Sequence, residues 1–128
     1  IVGETTPLRR QLCKVAQESL YAAIKQVRPG MCITEIGALI QPIVEKAGFS
    51  VVRDYCGHGI GSEFHEEPQI LHYRNGGKQE LKPGMCFTIE PMVNSKKYHC
   101  KVNPKDGWTV TTKDGGDGLA AVKTALGL

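Results

Sequence analysis

MCFTIEPMV, residues 85–93, decides how this chain is read. Met85, Phe87 and Ile89 alternate with Cys86, Thr88 and Glu90, and a period of two predicts a β-strand. One face then packs on a core while the other carries a thiol, a hydroxyl and a carboxylate. A carboxylate among apolar and small neighbours is costly to bury alone, so Glu90 must reach water, a cation or a hydrogen-bond donor. A strand-end glutamate paired with a surface lysine satisfies the same requirement. The strand by itself leaves both readings open.

Upstream of the strand the period is helical. Thr5-Thr6-Pro7 reads as a helix start, with a hydroxyl at the N-cap and proline at the first helical position. Leu8, Leu12, Val15, Ala16, Leu20, Ala23, Ile24 and Val27 follow at helical spacing, and Pro29-Gly30 closes the segment. Thr34 is placed to cap a second helix. Its buried stripe is Ile36, Leu39, Ile40, Ile43, Val44 and Ala47, with Pro42 inside and Gly48 as the left-handed stop. FSVVRDY (49–55) and WTVTT (108–112) read as further strands, separated by turn signals such as Asn75-Gly76-Gly77 and Lys82-Pro83-Gly84. Two helices followed by several strands predict an α+β class, two helices packed on one face of a mainly antiparallel sheet. The final stretch, GGDGLAAVKTALGL (115–128), is Gly-rich and then weakly helical, and is expected to form a loose tail.

At 128 residues, with 41% apolar and 23% charged residues, the chain has the makings of one globular domain. A net charge of +3 is too small to argue for nucleic acid as a partner. Lys96, Lys97, Lys101, Lys105 and Lys113 read as a solvated face. Five cysteines with no CxxC favour reduced thiols, in a cytoplasmic compartment or an organelle matrix. No run approaches a membrane span. The sequence opens at Ile1 rather than methionine, which suggests a piece of a longer protein.

CGHGIGSEFHEEP, residues 56–68, concentrates the remaining candidates. Gly57, Gly59 and Gly61 flank His58 and leave its imidazole open to a cavity, as a metal ligand requires, although a lone histidine is as readily a surface or core residue. His65 could donate a hydrogen bond to a carbonyl, or be a plain loop histidine. Glu66 and Glu67 read as solvated or as turn caps. Phe64 and Trp108 could wall an apolar pocket or sit in the core. His72 and His99 have no thiol or carboxylate at ligand spacing, apart from Cys100 adjoining His99, and read as structural.

CGHGIG, FHEEPQILHY, LKPGMCFTIEPMV and DGWTVTTKD, in this order and spacing, closely resemble type I methionine aminopeptidases of the bacterial or organellar branch. The resemblance covers residues 1–114 and implies the second, C-terminal half of the pita-bread fold, whose two α+β halves enclose a dinuclear metal site. The implied activity is removal of N-terminal methionine from nascent chains by two divalent ions (Co, Mn, Fe or Zn) that hold a bridging water. By motif, His58 and Glu90 match two metal ligands, His65 matches the histidine that contacts the substrate's peptide group, and Phe64 and Trp108 match walls of the methionine pocket. The family site also needs two aspartates and a histidine from the first half, and a bridging glutamate on a final strand. None of these has a counterpart here. Metal binding by this chain alone is therefore expected to be weak, with the remaining ligands supplied by a missing N-terminal half or another chain. Self-association of two such halves is a further possibility. A non-catalytic module that binds peptides or proteins is the alternative reading.

Overall fold

The computed structural model describes residues 1–120 and 123–125. Helix α1 spans Pro7–Ile24 and begins as its sequence predicts. Thr6 is the N-cap, and its Oγ1 accepts the Arg9 N–H at 3.3 Å. Leu12, Val15, Ala16, Leu20 and Ala23 are buried, whereas Leu8 is 45% exposed and lies outside the stripe. Helix α2 spans Thr34–Lys46 and contains Pro42. Its start differs from the expected one: Ile33 occupies the N-cap, Thr34 is already helical, and the Glu35 carboxylate accepts the Cys32 N–H at 2.9 Å. A carboxylate in the first turn satisfies a free donor as a capping hydroxyl would, and suits the positive helix end. Gly48 takes φ 81° and turns the chain into the first strand.

Nine short strands follow among the described residues: β1 (Ser50–Val51), β2 (Gly57–Gly59), β3 (Glu66–Ile70), β4 (Phe87–Ile89), β5 (Met92–Asn94), β6 (Cys100–Val102), β7 (Val110–Thr112), β8 (Gly118–Ala120) and β9 (Lys123–Ala125). They form a sheet ordered β1-β5-β8, a second ordered β3-β2-β4-β9, and the two-stranded hairpin β6-β7, with every pair antiparallel. α1 packs on α2 and on β5 and β8, and α2 packs on β1 and β3. Ile36, Ile40, Val44, Ile70, Phe87, Ile89 and Val93 are buried in the core cluster between helices and strands.

Two further expectations need correction. MCFTIEPMV is not one strand but two, β4 and β5, which belong to different sheets. The break falls at Pro91, which has no N–H to continue a ladder. Glu90 therefore lies at the step between the sheets. The segment after Asp114 is also not a loose tail. β8 pairs with β5 (Met92↔Ala120) and β9 with β4 (Phe87↔Ala125). Without them β4 and β5 would present unpaired backbone groups, so ladder completion outweighs a weak local helical preference. Residues 121–122 and 126–128 of the expected tail lie outside the described residues.

Candidate metal centre

The site is built where β2 runs between β3 and β4. Gly59 pairs with Phe87 on one side, and His58 pairs with Gln69 on the other. Gly57 and Gly59 are required here for lack of space. A Cβ on Gly57 would overlap the Thr88 carbonyl oxygen, and one on Gly59 would overlap the Glu67 carbonyl oxygen. The two strands can thus approach β2 closely only because the residues on either side of His58 have no side chains.

His58 and Glu90 meet. His58 Nε2 lies 3.4 Å from Glu90 Oε1, and the two side chains are 13% and 28% exposed. The other ring nitrogen fixes the tautomer: His58 Nδ1 is 2.8 Å from the Gly59 carbonyl oxygen, which can only accept, so Nδ1 carries the proton. In the neutral ring, Nε2 then presents a lone pair to a carboxylate oxygen. Two electron-rich atoms facing each other at this separation form a pair that a shared cation would stabilise. With metal–ligand bonds of about 2.1 Å, the edge of a tetrahedral coordination shell is about 3.4 Å. The observed separation has that length, as expected of two donors to one ion.

Neighbouring side chains hold this geometry. Thr88 Oγ1 accepts the His58 N–H at 3.0 Å and donates to Glu90 Oε1 at 2.6 Å. The Glu90 N–H donates to His72 Nε2 at 3.1 Å. His72 is 1% exposed, and burial pulls its pKa down to about 4, which keeps the ring neutral and able to accept. Cys56, two residues before His58 on the same chain, has its thiol pKa pushed up by burial and by the charges of Glu90 and Glu67. The thiol therefore stays protonated beside the carboxylates.

Of the remaining sequence candidates, His65 and Phe64 join the group and Trp108 does not. The His65 ring centroid is 4.2 Å from that of His58, and Phe64 stands edge-on to His65 at 4.6 Å. Phe64 is 69% exposed and Trp108 87% exposed, so neither lies in the core. Trp108 is on the loop of the β6-β7 hairpin. His99 packs beside Tyr98 at 4.2 Å in the β5-β6 loop. Thr88 and His72 are the partners of the site that sequence reading passed over. Thr88 was legible as sharing the face of Glu90, whereas the reach of His72 to Glu90 depends on packing that no local pattern reveals.

Among the described residues no group of three or more His, Cys, Asp or Glu side chains is arranged to hold a metal ion. The donors present thus fit a share of one ion's shell, and not a complete or dinuclear site. All five cysteines are free thiols. No helix among the described residues is long and apolar enough to cross a membrane.

Residues 1–119 match the metallopeptidase family M24. The chain belongs to that family. It is 59% identical over 115 residues to the methionine aminopeptidase of Escherichia coli (strain K12), a match covering 89% of this chain and 43% of the relative. Its fold superposes on the methionine aminopeptidase of Rickettsia prowazekii with a TM-score of 0.91 and 44% identity, covering 95% of this chain and 50% of the other. The Thermotoga maritima methionine aminopeptidase gives the same TM-score at 42% identity, covering 97% of this chain and 50% of the other. The chain thus spans half or less of the length of these relatives, and the resemblance to type I methionine aminopeptidases and to one half of the pita-bread fold holds in sequence and in structure.

Proposed function

We propose that this chain contributes the His58–Glu90 side of a methionine aminopeptidase centre that removes N-terminal methionine from peptides and nascent chains. The observation that carries the reading is the 3.4 Å approach of His58 Nε2, lone pair outward, to Glu90 Oε1. His58 and Glu90 would be donors to one divalent ion (Co, Mn, Fe or Zn). His65, whose ring lies beside that of His58, would donate to the peptide group of a substrate, and the exposed Phe64 and Trp108 would supply apolar surface for a methionine side chain. When bound, divalent ions supply an activated water and polarise the scissile carbonyl. The chain's own residues hold the donors, keep the imidazole in the tautomer that leaves Nε2 free, and present a hydrogen-bond donor to substrate. The further ligands would come from a missing N-terminal half or another chain, and a cytoplasmic or organelle-matrix setting would keep the thiols reduced.

Titration of the chain with Zn²⁺ or Mn²⁺ by calorimetry tests the reading. One weakly held ion per chain is expected, with binding abolished in both His58→Ala and Glu90→Gln. The chain alone should not cleave a Met-Ala peptide, and addition of a polypeptide supplying the missing ligands should restore cleavage. Metal binding that survives both substitutions would overturn the assignment. Peptide binding that ignores metal and both substitutions would favour the non-catalytic binding module instead.

A further inference from the structure

We infer that Thr88 is a positioning residue that locks the two donors, His58 and Glu90, onto a common point. The inference rests on the reading of that pair as metal ligands. It follows from counting protons on one hydroxyl. Thr88 Oγ1 lies 3.0 Å from the His58 backbone nitrogen, which can only donate, so the oxygen accepts there. The single hydroxyl proton remains for one acceptor. Glu90 Oε1 is 2.6 Å away and the His58 carbonyl oxygen 3.5 Å away, so the proton goes to the carboxylate.

One buried hydroxyl thereby ties the backbone of β2 to the side chain of Glu90. Thr88 is 6% exposed and lies inside β4, between strands that Gly57 and Gly59 allow to approach closely, so it has little freedom to move. Its β-branch further restricts the rotamer. Glu90 has three rotatable side-chain bonds and directly follows β4, and apart from the 3.4 Å approach of His58 Nε2 the Thr88 hydroxyl is the side-chain group in contact with its carboxylate. The Thr88 bond selects the conformer in which Oε1 faces His58 Nε2. The ordering cost is met in the fold, before any ion arrives.

The test uses two substitutions that separate the hydroxyl from the branched shape of the side chain. Thr88→Val removes the hydroxyl, and Thr88→Ser keeps it. The first readout is metal-free: vicinal proton couplings of the Glu90 side chain by NMR. They should report one dominant rotamer in the parent and in Thr88→Ser, and averaging in Thr88→Val. The second is zinc affinity of the folded protein, which should fall about 10- to 100-fold in Thr88→Val and stay near the parent value in Thr88→Ser. Thermal denaturation of all three separates a general loss of stability from loss of positioning. The inference is overturned if Glu90 is already averaged in the parent, a measurement that needs no variant. It also fails if the valine and serine variants behave alike. If the parent binds no zinc, the metal reading falls, while the Glu90 couplings still decide whether Thr88 orders the carboxylate.

Discussion

The β2-β4 wall and the β6-β7 hairpin are held together in opposite ways. The wall depends on contacts between residues far apart in sequence: Thr88 to His58, Glu90 to His72, and Gly57 against Thr88 and Ile70. Phe87, Thr88 and Ile89 are all buried within it. The hairpin loop depends on its own neighbours. Asp106 accepts from the Trp108 and Thr109 backbone N–H groups, each at 2.9 Å, from the Thr109 hydroxyl at 2.7 Å, and from Asn103 Nδ2 at 3.1 Å. Trp108 nevertheless projects into solvent. The His58–Glu90 approach is thus set by contacts across the fold, whereas the Trp108 side chain is carried on a loop shaped mostly by its own neighbours.

Two glycine substitutions contrast the regions most strongly. Gly57→Ala drives a methyl group into the Thr88 backbone carbonyl, with the Ile70 Cβ also only 3.1 Å away, and a methyl has no rotamer to relieve the clash. Overpacking of this kind is expected to cost about 3 kcal/mol or more. Gly107→Ala meets nothing within 4 Å, and its penalty is the positive φ of 62° alone, about 1 kcal/mol. Urea denaturation of the two variants measures the difference. Equal costs would mean that the wall is no more tightly determined than the hairpin.

His72→Phe probes the wall from behind. The ring is kept, but the Glu90 N–H loses its acceptor in a buried setting. A loss of about 1–3 kcal/mol is expected from the unsatisfied donor. His72→Gln, which restores an acceptor near the position of Nε2, should recover part of it. If phenylalanine is as stable as histidine in chemical denaturation, the Glu90 backbone is not anchored through this ring, and the contrast with the self-sufficient hairpin weakens.

What the sequence shows of this fold follows the range of the interactions. Helix α1 and the Thr6 cap are legible because hydroxyl, proline and apolar stripe lie within a few residues of one another. The partnership of His58 and Glu90 follows only from the resemblance, since the thirty-odd intervening residues give no pairing register. Alternation does place Thr88 beside Glu90, yet the bond from Thr88 to His58 requires the register of β2 on β4. The split of MCFTIEPMV was present in Pro91 and was outweighed by the regular alternation before it. β8 and β9 were not legible at all: GLA and KTA have little strand character, and their pairing is dictated by the open sides of β5 and β4. Trp108 matches a pocket wall by resemblance alone, and no local pattern indicates its 87% exposure on the β6-β7 loop.

The smallest expected effect is confined to that hairpin. Asp106 is held at a pKa of about 2, below the ordinary 3.8, first by the Trp108 N–H and then by the Thr109 hydroxyl and N–H. The ionised carboxylate is therefore the form the folded loop prefers. Its contribution is complete above the unfolded pKa of 3.8 and is lost as pH falls from there through about 2. Trp108 is the single tryptophan, so its fluorescence reports this loop without interference. A fluorescence step is expected near pH 2 and should be absent in Asp106→Ala. At neutral pH that variant should melt close to the parent temperature, because the side chain is exposed and its bonds span only three residues. A step centred near 3.8 would show that the carboxylate does not hold the loop. A large drop in melting temperature would show that the hairpin, like the wall, is tied to the rest of the fold.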